Sequence, residues 1–151
     1  MANKYFRRSP LSLLQQKVAL CAAYKDSSCG IENNQLIWCA KVKPTVLSKE
    51  YTVMITYKLW ESPKVWVIGE ALEKLDSKDF PHKFKVDKEN KMVRICLYMY
   101  DEFNSHKVLA NTIVPWTIEW LYFYEIWLAT GEWLGGGMHP NSGIEKTDID
   151  S

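Results

Sequence analysis

The segment Tyr51-Thr52-Val53-Met54-Ile55-Thr56-Tyr57 alternates without a break, Tyr51, Val53, Ile55 and Tyr57 falling on one face and Thr52, Met54 and Thr56 on the other. A period of two in β-branched and aromatic residues belongs to a strand with one buried face, so another layer must cover that face. Leu36 to Val42 and Lys64 to Ile68 read as its flanking strands. Lys43-Pro44 and Glu61-Ser62-Pro63 punctuate the short connections, which makes an antiparallel meander the economical topology. A fourth strand is expected from Met92 to Tyr98, after a charged, irregular excursion from Gly69 to Lys91 that suits a loop shaping a site.

Two helices bracket these strands. Ser9 is a good N-cap with Pro10 at the first helical position, and Leu11, Leu14, Val18, Cys21 and Ala22 follow at helical spacing to an end near Tyr24. That stripe places Cys21 in the core. A second helix follows Pro115 and stops at Gly131, with Trp116, Trp120, Phe123, Tyr124 and Trp127 as its core stripe. Ile118, Leu121, Tyr122, Ile126 and Leu128 leave it apolar nearly all round, so it is either deeply buried or partly met by a partner. The expected architecture is α+β: an N-terminal helix, a four-stranded antiparallel meander, a cysteine-bearing loop and a C-terminal helix. One domain spans residues 1–140, and the polar stretch 141–151 reads as a poorly ordered tail.

Charge and composition narrow the function. Lys and Arg number 19 against 18 Asp and Glu, a net charge of +1 that supplies no field for nucleic acid despite the cluster Lys4 to Arg8. No apolar run approaches the roughly 20 residues of a membrane span, and no signal peptide is recognisable; a cytoplasmic protein is expected. The four cysteines form no Cys-x-x-Cys pair and the three histidines are scattered, so neither a disulfide framework, a metal site nor a cofactor is implied. Cys29 lies in the turn-rich stretch Lys25 to Asn34 and receives no role.

Cys96 differs from the other three. In Val93-Arg94-Ile95-Cys96-Leu97 a strand puts Val93, Ile95 and Leu97 on the core side and leaves Arg94 and Cys96 on the other. A thiol off the core and near a guanidinium is placed to act as a thiolate.

Several motifs together resemble a known family. They are Tyr51-x-Val53-x-Ile55-x-Tyr57, Pro63-Lys64-Val65-Trp66-Val67, Pro81-His82, Ile95-Cys96-Leu97-Tyr98, the run Leu109 to Trp116, and the aromatic segment from Trp120 through Trp133 to Gly135-Gly136-Gly137. The chain is similar to bacterial ubiquitin-conjugating-enzyme-like proteins (UBC fold) found with cGAS-like nucleotidyltransferases in CBASS antiphage operons, over roughly Leu36 to His139. A stand-alone chain resembles the short form of such operons.

The resemblance implies that Cys96 is the catalytic residue of a cysteine acyl carrier. Its thiolate would accept the C-terminal carboxyl of a partner, the cGAS-like nucleotidyltransferase, and a target amine would displace it. Eukaryotic relatives carry His-Pro-Asn about ten residues before the cysteine, whereas Phe80-Pro81-His82 stands fourteen residues upstream and no Asn follows. His82 is therefore the first candidate for a polar organiser or proton acceptor, with Asn104 and His106 next as groups that meet the substrate. The alternative is a noncatalytic UBC-like scaffold that binds the nucleotidyltransferase. Gly135-Gly136-Gly137 reads as a flexible turn rather than a conjugation tail.

Overall fold

The computed structural model describes residues 9–69, 71–75, 77–97 and 103–135. It is α+β: helix α1 (Leu13–Ala23), strands β1 (Ser28–Glu32), β2 (Gln35–Val42), β3 (Tyr51–Tyr57), β4 (Lys64–Ile68), β5 (Lys83–Asp87) and β6 (Met92–Ile95), then helix α2 (Ile113–Thr130). The strands form one antiparallel sheet in the order β1-β2-β3-β4-β6-β5. This architecture is compatible with the UBC-like expectation. The Lys4 to Arg8 cluster, Tyr98, Gly136-Gly137 and the 141–151 tail lie outside the described residues.

The period of two governs the core. Tyr51, Val53, Ile55 and Tyr57 are all buried, joined by Leu36 and Trp38 of β2, Val65 and Val67 of β4, and Val93 and Ile95 of β6. Each such side chain moved out of water contributes about 1.5–3 kcal/mol. Leu20 of α1 and Ile113, Val114, Trp120, Leu121, Tyr124 and Trp127 of α2 complete that core. Glu125 draws α2 onto β3 by accepting from the Tyr51 hydroxyl (2.9 Å) and from Ser48 Oγ (2.6 Å).

The four expected strands are present, the last of them ending at Ile95 so that Cys96 and Leu97 follow it instead of lying within a Met92 to Tyr98 strand, and two more flank them. β1 occupies part of the turn-rich stretch, where Ser28-Cys29-Gly30-Ile31-Glu32 is too polar to show alternation because an edge strand is mostly exposed. Asn33 and Asn34, at φ 52° and 60°, form the two-residue turn that joins it to β2. β5 carries Lys83, Lys85 and Asp87, the charges that protect the opposite edge.

The first helix corrects the sequence reading. It starts at Leu13, not Pro10, because Ser12 Oγ accepts from the Gln15 N–H (3.1 Å) while Gln15 Oε1 accepts from the Ser12 N–H (2.8 Å). Its apolar stripe is turned outward: Leu14 and Val18 are 64% and 61% exposed, and Cys21 is exposed, not core. The buried face instead carries Leu20 and Gln16, whose amide donates to the Lys107 carbonyl (2.8 Å) and accepts from the Leu109 N–H (2.9 Å). A fully satisfied buried amide costs little, and periodicity of apolar residues cannot detect it. α2 begins two residues before Pro115, which sits in the first turn where its missing N–H is harmless, and ends as expected at Gly131 (φ 79°).

Candidate functional site

Of the irregular excursion expected from Gly69 to Lys91, Lys83–Asp87 is strand β5, while the described residues between Gly69 and Pro81 are irregular but anchored. Leu72, Phe80 and Pro81 are buried, and the Phe80 ring packs against Trp120, Tyr124 and Trp127 of α2 at 6.1, 5.4 and 5.3 Å. The Tyr124 hydroxyl accepts from the Glu73 N–H (2.8 Å) and donates to the Glu73 carbonyl (2.9 Å). The next residue, His82, is thereby delivered to the end of the sheet.

There His82 meets Cys96 through the backbone. The Cys96 N–H donates to the His82 carbonyl at 2.8 Å, which extends the β5–β6 ladder one step beyond the Lys83–Ile95 pair. His82 and Cys96 are therefore cross-strand neighbours, a relation that places Cα atoms about 5 Å apart. The same carbonyl accepts a second bond from the Trp120 indole N–H at 3.1 Å. His82 adopts φ 46°, in the left-handed region, one of six described non-glycine residues at positive φ. Its imidazole, 6% exposed, stacks on Trp133 with ring centroids 4.8 Å apart and planes 27° from parallel.

The alternation around Cys96 follows the sequence reading. Val93 and Ile95 are buried and Leu97 packs against the core, while Arg94 and Cys96 are half-buried. Cys29 and Cys39 are in a different position. Burial pushes the Cys29 thiol up to about 11, with the Cys21 charge adding to the effect, and burial also raises Cys39. Both therefore hold their protons at neutral pH.

Asn104 and His106 occupy a separate cluster. Both are exposed; Asn104 Oδ1 accepts from the His106 N–H (2.9 Å), and the His106 ring stands edge-on to Trp60 at 6.3 Å. Ser105 between them is buried, its Oγ paired with the Tyr57 hydroxyl (2.7 Å) and accepting from the Trp60 N–H (3.0 Å). These contacts fasten the cluster to the β3–β4 turn. The antiparallel order brings the end of β3, the start of β4 and the end of β6 to one end of the sheet, so the cluster and Cys96 share that end.

Three residues of this site carry no catalytic signature in the sequence. Trp120 reads as core, and Trp133 and Gly135 read as a flexible turn. A side-chain carbon on Gly135 would lie 2.8 Å from Phe123 Cδ2 and 3.0 Å from Trp133 Nε1, so any other residue there would push on the rings of Phe123 and Trp133. Among the described residues, no group of three or more His, Cys, Asp and Glu is placed to hold a metal ion. No described helix is long and apolar enough to cross a membrane.

The family model described as Type II CBASS E2 protein matches residues 16–140, which include both His82 and Cys96. No curated protein matches the chain.

Proposed function

We propose, because this chain belongs to the type II CBASS E2 family, that Cys96 carries a partner's C-terminal carboxyl as a thioester and passes it to an amine. The family places the role of the chain in antiphage defence, in a conjugation-type reaction. The observation that supports the chemistry is the cross-strand pairing of Cys96 with His82, joined by the 2.8 Å bond between their backbones.

The Cys96 thiolate attacks the activated carbonyl carbon, the tetrahedral oxyanion collapses and the leaving group departs. An incoming amine then attacks the thioester carbon, loses a proton and expels the thiolate. His82 is the candidate acceptor of that proton and the group that orders the pocket. The Cys96 N–H is committed to the His82 carbonyl, so it does not serve the oxyanion. Asn104 is the better candidate donor: its Oδ1 is held by the His106 N–H, which leaves Nδ2 to offer. The acyl donor in this reading is the cGAS-like nucleotidyltransferase of the operon.

Intact mass spectrometry of the chain co-expressed with that nucleotidyltransferase, with and without thiol reductant, tests the assignment. A reductant-labile covalent adduct is expected for the parent and none for Cys96→Ala. An adduct that survives the substitution would falsify the thioester reading. A noncovalent complex with no adduct in either protein would instead make the chain a scaffold.

A further inference from the structure

We propose that Trp120 is a positioning residue for the acyl transfer assigned to Cys96, an inference that rests on that assignment. Its indole N–H and the Cys96 N–H donate to one oxygen, the carbonyl of His82, at 3.1 and 2.8 Å. The two donors come from α2 and from the end of β6, so they fix the His82 peptide from two sides. The peptide they hold is that of His82, which stands at φ 46° in the left-handed region.

Packing explains a large aromatic residue at position 120. Trp120 is 4% exposed and stacks on Tyr124 (5.3 Å, 12°) and Phe80 (6.1 Å, 26°). Stacking does not account for the indole N–H, which donates to the His82 carbonyl and not to the rings around it. A buried indole N–H usually takes an acceptor, though that of Trp38 has none among the described residues, and for Trp120 the acceptor is the His82 carbonyl that the Cys96 N–H also uses. Trp120 touches neither the thiol nor an acyl group; it acts by holding the His82 carbonyl, and with it the Cys96 backbone, in place. Trp133 does the complementary work on the ring, stacking on the His82 imidazole while tilting against Trp120 at 5.6 Å.

The test replaces Trp120 by benzothienylalanine, which keeps the shape of the bicyclic ring and lacks only the N–H. The His82 carbonyl keeps its Cys96 donor, so no buried acceptor is orphaned and the melting temperature should fall by no more than about 5 °C. The probe is a 2-mercaptoethanesulfonate thioester of the nucleotidyltransferase C-terminus. The Cys96 thiolate attacks its carbonyl carbon, the mercaptoethanesulfonate thiolate departs, and the acyl group moves to Sγ. Loading is followed by intact mass in a Cys21→Ala background, because the exposed Cys21 thiol would exchange as well.

The expected result is a loading rate at saturation lowered by about ten- to a hundredfold, the scale of a small misplacement of reacting groups, with half-saturation unchanged. Trp120→Phe, which also lacks the donor, should show the same split. A rate within twofold of the parent in either variant overturns the inference, as does a rise in half-saturation that accounts for the whole effect. Cys96→Ala in the same background separates the two levels. If it loads like the parent, the Cys96 assignment fails; if it is inert while the benzothienyl variant is fast, only the role of Trp120 is lost.

Discussion

Replacing His82 by alanine and, separately, by glycine isolates the backbone conformation that the site imposes. Both variants lose the imidazole, its burial and its stack on Trp133, an aromatic contact of about 0.5–1.5 kcal/mol beyond area alone. They differ in how they tolerate φ 46°. An L-residue in the left-handed region costs about 1–2 kcal/mol, which alanine retains and glycine does not. Glycine gives back about 0.4–1 kcal/mol through its freer unfolded chain. The difference leaves His82→Gly more stable than His82→Ala by about 0.5–1 kcal/mol, the reverse of the order expected within a regular strand. Urea unfolding, with equal slopes for the two variants, measures that difference directly. In the transfer assay both should be slower than the parent by on the order of ten- to a thousandfold, with partner affinity near normal. An alanine variant as stable as the glycine one would refute the strained conformation. Parental rates in both would remove the imidazole from the reaction and turn attention to Asn104 and His106.

The outward turn of the α1 stripe predicts that Val18→Ala changes stability by less than about 0.5 kcal/mol, whereas Leu20→Ala, at 0% exposure, costs about 2–5 kcal/mol, both read by thermal unfolding. Tyr124→Phe removes the hydroxyl that serves both backbone groups of Glu73 and should lower the urea-unfolding free energy by about 2 kcal/mol. Burial lifts the Tyr124 hydroxyl from 10.0 to about 12, and burial together with Glu125 lifts Tyr51 in the same direction. The unfolded chain therefore releases these protons first, so this stabilisation is complete below about pH 10 and is lost progressively from there upward, through about pH 12 for Tyr124. Denaturant melts across that range should show the fall, and Tyr124→Phe should lessen its slope between those two values. Gly135→Ala, which forces a methyl against Phe123, should loosen the Trp133 contact and quench or shift tryptophan fluorescence without unfolding the sheet.

What could be read from the chain was whatever repeats along it. Strand β3 was legible to the residue because its two faces differ at every position, and β4 and most of β2 and β6 follow the same rule. The second helix and its glycine stop were legible from the aromatic stripe and from the left-handed cap that glycine supplies. The side of the strand on which Cys96 stands follows from the same alternation. Elements stabilised by something other than a repeating apolar face were not legible. Edge strand β1 is polar because it is mostly exposed, and α1 turns outward because a buried glutamine amide, satisfied 91 and 93 residues away in the chain, replaces part of an apolar stripe. Strand β5 does alternate, Phe84 and Val86 between Lys83, Lys85 and Asp87, but is hidden by the charged stretch around it. Only the tertiary structure decided that His82 and Cys96, fourteen residues apart, are neighbours, since the β5–β6 hairpin and a shared carbonyl bring them together. Hydrogen bonds between distant segments leave no period in a sequence, because each is made once, between two residues that only the folded chain brings into reach.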